Sequence, residues 1–336
     1  MTAPPSRMAA EIAEIPEVVT RLAAPEAQAA LRAEGAALDA LGPPFLLTVA
    51  RGSSDHAATV LKYAVELSLG LPVASLGPSV ASVWGARLRV RGAAALALSQ
   101  SGASADLRAL ALSLREGGAR VTALTNRPDS PLADAADATV DVRAGPEEAV
   151  AATKSFVATV VAGLWLVAHW TGDRRLAESL VALPDSCAQA IDADAAPLDA
   201  ALAANGGLTV IGRGPRLGLA LEAALKVRET LARPADGYSA AEVLHGPARI
   251  VAAGDHVVVF ADYAGRGVAE AVARLAGQGA WIVPVASIAP DPDGVHPLAA
   301  AIPQVVAFYA AVEREARRRG LDPDRPPFLR KETVTT

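Results

Sequence analysis

The chain has 336 residues, 52% hydrophobic but only 4% aromatic, with 31 basic against 36 acidic side chains and a net charge of −5. At roughly 150 residues per domain this is about two domains with a core of Ala, Val and Leu, which excludes a mainly disordered chain and leaves no basic stripe for nucleic acid. One cysteine, Cys187, rules out an internal disulfide, and five histidines without ligand spacing give no metal site, so a reducing cytoplasm is expected and no cofactor is called for.

The first residues carry prolines and acids where a targeting segment needs a continuous apolar core, so none is read. Residues 8–41 show helical spacing and end at the breaker Gly42-Pro43-Pro44. Apolar runs then alternate with helical stretches, at 45–50, 72–76, 94–99, 120–125 and 138–142, the pattern of a parallel sheet covered on both faces. The most apolar helix, 156–170, is shorter than the ~18 residues of a membrane span and reads as buried core. Residues 171–206 are polar and broken by Pro184 and Pro197, and predict a linker with one or two short helices; a lone thiol there, Cys187, has no base nearby in sequence.

The pattern then restarts. Arg213-Gly214 repeats Arg51-Gly52 at an offset of 162 residues, the same offset sets 257–260 on 95–98, and a closely similar one sets the run at 281–286 on the 120–125 strand. The spacing predicts a duplicated α/β fold, two doubly wound parallel-sheet domains with flanking helices. The expected boundaries are a helical segment at 1–41, a first domain at 42–170, a linker at 171–206, a second domain at 207–320 and a tail at 321–336.

Two hydroxyl clusters follow strands of the first half: Ser53 and Ser54 after Arg51-Gly52, and Ser99-Gln100-Ser101 with Ser104 ahead of a helix from Ala105. A helix N-terminus at the carboxyl end of a parallel strand suits an anion such as phosphate, although Ser is also a common helix cap. Adjacent Ser54-Asp55-His56 cannot adopt hydrolase triad geometry, no triphosphate-binding loop is present, and Gly212-Arg213-Gly214 lacks the third glycine of a dinucleotide fingerprint. In the second half Lys226 and Glu229 share a helical face, and Glu242 and His245 precede Gly246-Pro247. Acid, base and cation suit an aldose–ketose interconversion, and a structural ion pair with a capping histidine would use the same residues.

Together the segments at 50–58, 99–107, 149–156, 220–247 and 321–333 resemble the SIS (sugar isomerase) family, in particular the isomerase half of glucosamine-6-phosphate synthase and, more closely, stand-alone type II glucosamine-6-phosphate deaminases. The resemblance implies that Ser53, Ser99, Gln100, Ser101 and Ser104 hold a phosphate, that Val150 and its neighbours such as Ala152 line the sugar, and that Ser54 and Glu242 also bind the substrate. It implies Glu229 as the base between C1 and C2, Lys226 as the charge stabiliser, and Lys331 as the tail lysine facing the open sugar. His245 would open the ring from a neighbouring subunit, hence a homodimer with sites at the subunit interface. Arg51 and Asp55 replace the Cys and Tyr of the synthase loop, and Ala152 stands where many relatives have a hydroxyl.

The synthase takes ammonia from glutamine with an N-terminal cysteine that this sequence does not show, so the expected reaction runs from glucosamine 6-phosphate to fructose 6-phosphate and ammonia. A simple phosphosugar isomerase or a deglycase of an amine-linked sugar phosphate would use the same proton transfer. A non-catalytic sugar-phosphate sensor is the third alternative; the Glu, His and Lys set and the short acidic N-terminus speak against it. No nucleic-acid or membrane partner is expected.

Overall fold

The computed structural model describes residues 5–261, 267–291 and 293–331. The N-terminal stretch is three helices rather than one: α1 (Arg7–Ala13), α2 (Ile15–Leu22) and α3 (Pro25–Leu41). The breaks follow from Pro16 and Pro25, which sit in first turns, where a missing N–H is tolerated, and so restart helices instead of continuing one.

Strands and helices then alternate: β1 (Leu46–Val49), α4 (Ser53–Leu69), β2 (Val73–Ser75), α5 (Ser79–Ser82), β3 (Ala94–Ser99), α6 (Ala105–Glu116), β4 (Arg120–Thr125), α7 (Pro131–Asp134), β5 (Ala138–Asp141) and α8 (Lys154–Thr171). The five strands are parallel in the order β2-β1-β3-β4-β5, with Leu46 opposite Ala94 and Ala94 opposite Arg120. Strands β1 and β3 are buried at every position, which is why each reads as a continuous apolar run. Helix α8 is apolar on all sides and packs against both α3 and α4. Its Gly163 permits the approach to α4, since a Cβ there would meet Leu61 Cδ1 at 2.3 Å. Among the described residues no helix is long and apolar enough to cross a membrane.

The 171–206 stretch is more ordered than its composition suggests. It carries α9 (Arg174–Val181), α10 (Leu183–Ile191) and α11 (Ala196–Ala203), because Pro184 and Pro197 again occupy first turns. A second parallel sheet follows in β6 (Leu208–Gly212), α12 (Arg216–Leu231), β7 (Ala235–Ser239), 3-10 turns at Glu242–His245 and Pro247–Ile250, β8 (His256–Phe260), α13 (Ala269–Gly277) and β9 (Trp281–Pro284). A further 3-10 turn at Val285–Ser287, then α14 (Pro297–Ala300) and α15 (Ile302–Arg318), complete the elements of the described residues. The order β7-β6-β8-β9 repeats the β2-β1-β3-β4 order of the first sheet, as a duplication requires.

The chain forms two compact units. Among the described residues one holds 17–147 and 154–181, with the five-stranded sheet; the other holds 5–16, 148–153 and 182–331, with the four-stranded sheet. In the latter, Asp324 accepts the N–H groups of Arg7 and Met8 at 2.9 Å each, and its carbonyl accepts the Val150 N–H at 3.0 Å.

Candidate active site

In the five-stranded sheet the chain reverses direction between β1 and β3, since β1 leads out towards β2 and β3 leads the other way towards β4. Loops leaving the carboxyl ends of those two strands diverge and open a crevice, the usual ligand position in such sheets. Ser53 and Ser54 start α4 on one side; Ser99 ends β3, Gln100 and Ser101 make the turn, and Ser104 precedes α6 on the other. The turn requires Gly102: its φ is +62°, and a Cβ there would lie 2.0 Å from Ser130 Oγ. The Gly102 N–H donates to Ser99 Oγ at 3.0 Å and the Ala103 N–H to Ser101 Oγ at 3.3 Å. Ser104 makes no side-chain cap on α6, so capping is not what its hydroxyl does here.

The departures at 51 and 55 belong to the same edge. Arg51 Nε donates to Asp106 Oδ2 at 2.5 Å, across from the first loop to the first turn of α6. Burial raises the Asp55 carboxyl above the ordinary aspartate range, against the opposing pull of His56, Ser75 and Arg51.

In the other unit the centre is α12. Lys226 Nζ lies 2.5 Å from Glu229 Oε2 and 3.3 Å from Glu222 Oε1, and Tyr309 Oη on α15 donates to the same Glu222 oxygen at 3.1 Å. The positions 222, 226 and 229 fall on one helical stripe. Lys226 and Glu222 are fully buried, while the Glu229 side chain keeps 20% exposure, so of the two carboxylates Glu229 is the one open to a ligand. Burial works against the Lys226 charge, but Glu222 and Glu229 outweigh it and hold the ammonium above the ordinary lysine range. Lys331 Nζ donates to the Ala149 carbonyl at 2.7 Å, which joins the tail to the 148–153 segment carrying Val150 and the half-buried Ala152. Glu242 and His245 are the exposed residues of a 3-10 turn closed by Gly246 at φ +147°.

The structure thus collects the six serine and glutamine positions on one sheet edge, Lys226 with Glu229 on one helix, and Lys331 beside Val150. Three members went unread in the sequence. Glu222 carries a signal, its four-residue spacing from Lys226; Asp106 and Tyr309 carry none, because their partners lie 55 and 87 residues away.

A duplicated, doubly wound α/β protein with serine-bearing loops at the switch point of one sheet and a largely buried acid–base trio is the class that these features define. The SIS domain family model matches residues 45–169. A crystal structure of a candidate phosphosugar isomerase from Silicibacter pomeroyi DSS-3 is 45% identical with a TM-score of 0.90, over 95% of this chain and all of that one. The chain belongs to the SIS family. It is 34% identical to the glutamine–fructose-6-phosphate aminotransferase of Symbiobacterium thermophilum, over 84% of this chain and 50% of that protein, so it spans about half the length of such relatives. A glucosamine-6-phosphate deaminase from Thermotoga maritima shares the fold, with a TM-score of 0.77 at 21% identity, covering 98% of this chain and all of that one.

Proposed function

We propose that this protein is a phosphosugar isomerase-type enzyme for an amino sugar, converting glucosamine 6-phosphate and water to fructose 6-phosphate and ammonia. The observation that carries the reading is the α12 trio, a partly open carboxylate 2.5 Å from a buried, charged lysine. That is the pairing an enolising proton transfer needs: a base, and a fixed cation for the developing charge.

In this reading the hydroxyls of Ser53, Ser54, Ser99, Ser101 and Ser104, with Gln100, take the phosphate at the helix N-termini. His245 of a partner subunit opens the ring and Glu242 lies along the sugar. Glu229 removes the C2 proton of the open aldose, giving an enolamine whose developing charge Lys226 steadies from behind the carboxylate. The proton returns to C1, leaving an imine at C2. Water adds to that carbon and ammonia leaves, so atoms and charge balance without an oxidant or a metal. Lys331, with Val150 and Ala152, contacts the open sugar. Of the similar proteins, one is named as an aminotransferase of fructose 6-phosphate and one as a deaminase of glucosamine 6-phosphate, the proposed product and substrate. Burial pushes the Cys187 thiol up to about 12, so it supplies no thiolate to release ammonia from glutamine.

A coupled ammonia assay over a panel of hexose, hexosamine and amine-linked sugar phosphates tests this. Glucosamine 6-phosphate is expected to yield ammonia and fructose 6-phosphate in equal amounts. Ammonia or amine release only from other phosphates would make the enzyme a different deaminase or a deglycase; aldose–ketose exchange alone would make it a simple isomerase. Binding without turnover would make it a sensor.

A further inference from the structure

The Arg51–Asp106 pair plays no part in the proton transfer, yet it bridges the two loops of the crevice. Asp106 sits in the first turn of α6 with a side chain only 1% exposed. A buried carboxylate there opposes the positive pole that makes a helix N-terminus attractive to an anion, and in a desolvated site it repels a dianion strongly. Its oxygens are both engaged: Oδ1 accepts the Leu107 N–H at 2.8 Å, and Oδ2 accepts Arg51 Nε at 2.5 Å. The Arg51 side chain is 46% exposed and meets Asp106 through Nε, which leaves both Nη nitrogens of its fork for a second acceptor.

The second sheet supplies an internal control. Arg213 is the counterpart of Arg51, but there Nη1 donates to Ser239 Oγ at 3.1 Å, at the end of the neighbouring strand β7. The counterpart of Asp106, the second residue of α6, is Glu270, the second residue of α13, and there the acid is exposed rather than buried. The guanidinium pairs with the carboxylate where that acid is buried, and turns to a hydroxyl where the acid is exposed.

We propose that Arg51 is a specificity-determining residue for the phosphate: its Nε cancels the buried Asp106 charge while its Nη groups bind the dianion between the two serine loops. The inference rests on the crevice being the phosphate site. It accounts for an arginine in a loop where the synthase has cysteine, and it predicts a cradle selective for the dianion over uncharged sugars.

The test measures inorganic phosphate binding by calorimetry, and KM and kcat for the phosphosugar substrate, on the full chain and on R51M and R51M/D106N. R51M is expected to weaken phosphate binding and raise KM in parallel by about 10-fold or more, with kcat within about 3-fold of wild type, as for loss of a charge-assisted contact. R51M/D106N, which leaves no unpaired buried charge and so folds even where R51M does not, is expected to regain part of that affinity yet stay at least about 3-fold weaker than wild type. A bracing ion pair would instead lower thermal stability and kcat and leave phosphate affinity alone. Phosphate affinity within about 2-fold of wild type in either variant overturns the inference and leaves the phosphate site standing. Failure of the wild-type chain to bind phosphate or any sugar phosphate overturns the site itself, and the inference with it.

Discussion

Lys226 is a lysine with no exposed surface that stays charged because two carboxylates flank it. Its folded-state pKa lies above the unfolded value, so the stability from that charge is whole below the ordinary lysine range and is lost only as pH rises through the folded value. The neutral range where an isomerase works leaves the trio intact. Replacing Glu229 by Gln removes the base but leaves Lys226 its pairing with Glu222 and the Tyr309 bond behind it. E229Q is therefore expected to lose about 10²–10⁴-fold in kcat while its thermal midpoint stays near wild type, measured by steady-state kinetics and calorimetry. A midpoint that fell with activity would make the trio structural. The Lys226–Glu229 half of this arrangement was legible as a three-residue spacing on one helix; Tyr309 was not, because only the packing of α15 on α12 brings it to Glu222.

Two glycines on neighbouring strands set the depth of α12 on its sheet. A Cβ on Gly212 would lie 2.3 Å from the Arg216 carbonyl oxygen, and one on Gly237 would lie 2.8 Å from Leu221 Cα. Both obstacles are helix backbone, which cannot rotate away as a side chain can. G237A is expected to cost about 1–3 kcal/mol in denaturant unfolding and to lower kcat as well, since Glu222 and Lys226 must shift with the helix; a neutral outcome in both would show that the helix has slack. Gly237 also explains which strand escaped the sequence reading. Strands β3 and β4 coincide with their apolar runs because both faces are covered. By contrast β7 reads Ala-Asp-Gly-Tyr-Ser, a poor intrinsic strand that exists because β6 pairs with it from Ala235 to Ser239. The N-terminal and 171–206 helices were blurred for a related reason: α2, α3, α10 and α11 each carry a proline in the first turn, and composition alone counts it as a breaker.

For the whole molecule, the exposed position of His245 fits a residue that serves a neighbour, and a homodimer follows from the proposed chemistry. In the proposed two-fold dimer, a mixed pair of E229Q and H245A chains, purified through two different tags, is expected to hold one intact site of its two and recover about half of wild-type turnover. A mixed dimer as inactive as its parents would put histidine and glutamate in the same chain. The duplication was visible at this scale from the 162-residue offset, because strand order follows the repeated apolar runs. The assignment of short segments to units was not, being a matter of tertiary contact alone: residues 148–153 fold with the four-stranded sheet although the chain on either side belongs to the other unit. Gene fission at the 171–206 stretch would consequently not release two self-sufficient proteins. The leading fragment would keep Ser6, Arg7, Met8 and Val150 but forfeit Glu313 and Asp324, the groups they hydrogen-bond. Whatever ancestral module was copied, its descendants have been stitched through one another and are now inherited only as a piece.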